Sequence, residues 1–95
     1  MNFDKYDNII FTDKNGKTQE ISLIDNMDIL EDALEQVVPG HLENIRNIYE
    51  KELDKAQTIE AQNDANYGYE QSLKELLQNN WNKVYAIAKS DLLYS

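Results

Sequence analysis

The 95-residue chain carries 18 Asp and Glu against nine Lys and Arg, which gives a formal charge of −9 and a pI near 4.4. So acidic a balance argues against a surface that itself holds DNA, RNA or an anionic membrane, since those partners need basic footprints. Cysteine is absent, which excludes disulfides, thiolate zinc sites, iron–sulfur clusters and cysteine nucleophiles. Apolar residues, at 41%, suffice for the core of one small domain.

The first ten residues, MNFDKYDNII, lack a basic segment followed by an apolar run, so no leader peptide is expected. No apolar stretch approaches the roughly 20 residues of a bilayer span. The expectation is a cytoplasmic protein of a bacterial host cell, with no membrane contact. Eight Lys against a single Arg, with many Asn and Ile, is the usage of AT-rich coding and points to a low-GC bacterium, its phages or its mobile elements.

Residues 8–24 read as a two-stranded β-hairpin. Asn8 to Thr12 is a short apolar strand, and Asp13-Lys-Asn-Gly16 supplies a turn whose Asn and Gly tolerate positive φ. The return strand alternates, with Ile21 and Leu23 on one face and Glu20 and Ser22 on the other. Such a hairpin needs a helical surface against its apolar side.

Helix one is expected over residues 26–38, capped by Asp25 or Asn26, with Met27, Leu30, Ala33, Leu34 and Val37 as its buried stripe. Pro39-Gly40 ends it. Helix two follows over 41–62, with Leu42, Ile45, Ile48, Tyr49, Leu53, Ala56 and Ile59 as its stripe and Glu43–Arg46 and Glu52–Lys55 as outer pairs. The turn formers from Gln62 to Gly68 suggest a helical hairpin, with Asp64 capping helix three over 65–92. The rival reading is one continuous helix through Gly68. Helix three has Tyr69, Leu73, Leu76, Leu77, Trp81, Val84, Tyr85 and Ala88 on its apolar face. The predicted fold is a single α+β domain spanning 1–95: an N-terminal two-stranded hairpin packed on a short helix and a long antiparallel helical hairpin.

Catalytic signals are thin. His41 is the sole histidine and follows Pro-Gly at a helix start, without a partner or a pocket in the spacing. Asp13-x-Asn15-Gly16-Lys17 resembles the opening of a calcium loop only faintly, with the glycine at position four and a lysine at a ligand position; a hairpin turn explains the same residues. No cofactor and no metal are expected, and the chain does not read as an enzyme.

The acidic residues carry more information. Between Lys17 and Arg46 there are seven acidic residues and no basic one: Glu20, Asp25, Asp28, Glu31, Asp32, Glu35 and Glu43. At 100° per residue, Asp28, Glu31, Asp32 and Glu35 fall within an arc of about 100° opposite the apolar stripe. Their like-charge pairs at three and four residues each cost a few tenths of a kcal/mol. A solvated, solubilising face accounts for them. So does a patch of carboxylates roughly 6 Å apart, close to the phosphate interval of a nucleic-acid strand, offered to a basic protein. Glu60, Asp64 and Glu70 form a smaller patch, and Tyr67 is the tyrosine expected to stand exposed beside it.

Two functions from different classes follow. One is a small acidic inhibitor, encoded by a phage or mobile element, that blocks a basic nucleic-acid-binding effector such as a nuclease, in the manner of anti-CRISPR and DNA-mimic proteins. Size, charge and compositional origin carry that analogy, and direct nucleic-acid binding is not part of it. The other is a non-enzymatic structural or regulatory module, either a homodimer joined through Leu73, Leu77 and Trp81 or a toxin immunity protein.

Overall fold

Two turns that both begin Asp-Lys fold the start of the chain into an antiparallel sheet in the order β1 (Asn2–Phe3), β2 (Asn8–Thr12) and β3 (Thr18–Ser22). The computed structural model describes residues 1–93. In the first turn the Asp4 Oδ1 accepts from the N–H of Tyr6 at 2.9 Å and of Asn8 at 2.8 Å. In the second the Asp13 Oδ1 accepts from the N–H of Asn15 and Lys17, both at 2.9 Å. Each turn has one residue in the left-handed region, Asp7 (φ 62°) and Gly16 (φ 81°).

The sheet thus has three strands where the sequence suggests two. β1 is two residues long, too short to show the alternation by which a strand is recognised. Ile9 faces Ile21 across β2 and β3, and both are fully buried with Phe11 and Leu23. This apolar face lies on the helices, as a small sheet requires.

α1 (Met27–Val37) buries Leu30, Ala33 and Leu34, with Met27 and Val37 packed at the edge of the core. It ends before Pro39, and Gly40 takes a positive φ of 86° to turn the chain into α2 (His41–Lys55). Asn26 stands at the N-cap position, yet its side chain does not cap. That amide is 1% exposed, and all its bonds go elsewhere. Nδ2 donates to the carbonyls of Ser22 (2.8 Å) and Leu93 (3.1 Å), and Oδ1 accepts from the Leu93 N–H (2.7 Å).

The helical hairpin reverses earlier than the sequence suggests. α2 stops at Lys55, Ala56 is extended, and the Thr58 hydroxyl caps α3 (Ile59–Ala88) by accepting from the Ala61 N–H at 3.0 Å. The turn expected over Gln62–Gly68 is therefore regular helix, and Asp64 lies inside α3 rather than at its cap. The chain bends back as a helical hairpin does, at residues 56–58, so α2 and α3 are not one continuous helix even though α3 runs through Gly68. A helical glycine costs about 1 kcal/mol relative to alanine, too little to break a 30-residue helix that packs along its length.

α1 and α2 both lie against α3. Leu73, Leu77, Trp81, Val84 and Ala88 supply its buried face, and Phe11 meets Trp81 and Tyr85 at ring separations of 5.0 and 4.8 Å. The core therefore sits under the sheet, around the second half of α3. α2 buries fully only Leu42. The molecule is elongated, 49 × 28 × 19 Å.

Candidate functional site

The acidic face of α1 divides into residues that are held and residues that are free. Glu31, 17% exposed at its side chain, is ion-paired with Arg46 of α2. Arg46 also bonds Tyr69, and the Tyr69 hydroxyl and Glu31 carboxylate together raise the guanidinium pKa above its ordinary value. The Glu43–Arg46 pair expected along α2 gives way to this cross-helix contact. Glu35 accepts from the Gly40 N–H at 3.3 Å, steadying the turn into α2. Asp25, Asp28 and Asp32 are exposed and join no ion pair among the described residues. Asp28, in the first turn, is favoured by the helix dipole.

The second acidic patch does not hold together. Glu60 lies in the first turn of α3 and Asp64 one turn on, both exposed. Tyr67 is 64% exposed, on the surface of the helix rather than in a turn. Glu70 is drawn away from them into a cluster with Asp7 and Lys74. The Lys74 ammonium is ion-paired with Asp7, lies 3.5 Å from Glu70, and stands over the Phe3 ring at 5.5 Å. A hydrogen bond from Glu70, then Lys74, holds the Asp7 carboxylate below its usual range. The same bond to Asp7, followed by burial, pushes Glu70 up. The sequence holds no sign of this cluster, because Asp7 and Lys74 are 67 residues apart.

At the end of the hairpin remote from the sheet, α2 and α3 enclose a groove of about 450 Å³. Ile45, Ile48, Tyr49, Ala61, Ala65, Gly68 and Tyr69 form its walls, with Glu52, Lys55 and Asp64 at the edge. The rings of Tyr49 and Tyr69 lie 5.1 Å apart, and the Tyr49 hydroxyl donates to the Asn66 side-chain carbonyl. Ile48 was expected in the buried stripe of helix two, and Ile59 with it. They are instead 62% and 77% exposed.

His41 is exposed, and among the described residues no group of three or more His, Asp or Glu side chains is placed to hold a metal ion. No described helix is long and apolar enough to cross a membrane. No family model, curated protein or solved structure matches the chain.

Proposed function

We propose that the chain is a small acidic, non-enzymatic inhibitor, encoded by a phage or mobile element and active in the bacterial cytoplasm. Its target is a basic nucleic-acid-binding effector such as a nuclease, which it blocks as an anti-CRISPR or other DNA-mimic protein does, through the carboxylates of α1 and of Asp25 just before it. One observation carries the reading: Asp25, Asp28 and Asp32 are exposed and join no ion pair among the described residues, while the chain's single arginine is already committed to Glu31. A face that only solubilised the protein would gain from an interposed lysine, which would relieve the like-charge pairs. Against a basic partner the same carboxylates speed encounter and set register. The rival, a homodimer, would need a surface other than the one the sequence suggested, since Leu73, Leu77 and Trp81 lie inside the protein's own core.

The test is a pull-down from a nuclease-treated low-GC bacterial lysate, washed at about 0.1 M and about 0.5 M salt to bracket weak and strong screening. The wild type should retain a basic nucleic-acid enzyme at the lower salt and lose it at the higher. A quadruple variant, Asp25→Asn, Asp28→Asn, Asp32→Asn and Glu35→Gln, should fold and retain nothing. Recovery of the bait alone, or of a partner indifferent to salt, overturns the reading.

A further inference from the structure

We propose that the groove between α2 and α3 binds a basic amphipathic helix from a partner protein. The proposal concerns a different surface from the carboxylate face of α1 and does not depend on it. The groove is apolar in its walls and sits where the hairpin buries least. Ile48 in the wall and Ile59 beyond the edge are both exposed, and together they present more apolar surface than a small molecule lodged in the groove would cover. An amphipathic helix has the matching form, with apolar side chains three and four residues apart entering a groove between two helices.

Gly68 strengthens the case. In the interior of a helix glycine weakens the helix relative to other residues, and close packing is the usual compensation. Here a Cβ at residue 68 would meet nothing within 4 Å. The glycine leaves open space along the groove wall that no described residue fills.

Charge selects the occupant. Residues 47–68 hold Glu50, Glu52, Asp54, Glu60 and Asp64 against Lys51 and Lys55. None of Glu52, Glu60 and Asp64 has an ion-pair partner among the described residues. A second copy docking here would set these carboxylates against their own kind, on a chain already at −9. A helix flanked by lysines or arginines reverses that sign and gains the steering that complementary charge provides.

The experiment titrates the ¹⁵N-labelled full chain with a synthetic Leu/Lys amphipathic peptide of about 18 residues, long enough to form a helix on binding. Two controls accompany it, one with every Leu replaced by Ser and one with every Lys replaced by Glu. The Leu/Lys peptide should bind saturably, one per chain, with amide shifts at Ile45, Ile48, Ala65, Gly68 and Tyr69, and neither control should. Gly68→Leu, which fills open space and favours helix, should keep or raise Tm and weaken binding about tenfold or more. Glu52→Gln with Asp64→Asn should weaken binding several-fold and flatten its salt dependence. Asp28→Asn with Asp32→Asn should leave it unchanged, so failure of the α1 reading and failure of this one remain distinguishable. Equal binding of the Ser/Lys peptide, shifts confined to α1, no binding at all, or a wild-type dimer in solution that Gly68→Leu dissociates would each overturn the proposal.

Discussion

Asp4 and Asp13 do the same work in the two turns of the sheet. Each carboxylate accepts from the N–H groups two and four residues on, and each backbone N–H donates to the carbonyl four residues on, at 3.0 and 2.9 Å. At the fourth position the turns part. Gly16 adopts positive φ without a steric penalty, whereas Asp7 adopts it at a cost of about 1–2 kcal/mol for a residue with a side chain. The turn of Gly16 projects its lysines into solvent and needs nothing more. The turn of Asp7 lies over α3, and there the side chain reaches Lys74 and Glu70. A strained residue persists where its surroundings hold it, and here a glycine would settle the turn locally while releasing it from the helix.

The largest effect is expected from removing that hold. Lys74→Met leaves Asp7 and Glu70 facing one another without a cation and should cost about 2 kcal/mol at pH 7, the penalty for half-buried charged groups deprived of their partner. Part of the loss should return at pH 4, below the ordinary glutamate value, where protonation of the raised Glu70 carboxyl relieves the repulsion. Thermal unfolding at both pH values checks this, and a loss independent of pH would show that the ammonium contributes only through packing on Phe3.

Smaller effects should separate the two turns. Gly16→Ala forces a side chain into the left-handed region and should lose about 1–2 kcal/mol. At the equivalent place Asp7→Gly should change stability by less than about 0.5 kcal/mol, because relief of strain offsets a partly exposed ion pair. Denaturant unfolding of both variants measures the difference, and equal losses would mean the two turns are not equivalent in strain.

The smallest effect is one of sign. Asp4, Asp7 and Asp13 have folded pKa values below their ordinary ones. Their contribution is therefore full above the unfolded value, near pH 4, and fades as pH falls through the folded values. Glu70, raised by its bond to Asp7 and by burial, acts oppositely and withdraws stability as pH rises through its folded pKa. Glu70→Gln should then raise Tm slightly at pH 7 and leave it unchanged at pH 4. A fall in Tm at pH 7 would show that the contact with Lys74 outweighs the repulsion from Asp7.

The same contrast explains what the sequence could disclose. Asn15-Gly16 announces its turn by residue type, while Asp7 announces nothing; the one available signal was the Asp-Lys pair repeated at residues 4 and 13. The stripes of α1 and α3 were legible because their period matches a helix. The reversal between α2 and α3 was misplaced because Asn63, Asp64, Asn66 and Gly68 are turn formers by local preference. The Thr58 cap and the burial of Ala65 outweigh that preference. On the candidate surface, the acidic side of α1 followed from periodicity alone. Arg46 taking Glu31 rather than Glu43 could not, since that choice depends on how two helices pack.

Asn26 has a further meaning in the order of events. Its three hydrogen bonds join Ser22 to Leu93, and two of them span 67 residues. A chain made from its N-terminus produces the sheet and α1 well before Leu93 exists. Until then the amide lacks most of the partners that make its burial tolerable. The start of α1 therefore has the full set of partners for its buried amide only when the residues that follow α3 are in place. One side chain thus fastens the end of the sheet and the first turn of α1 to the far end of the described chain.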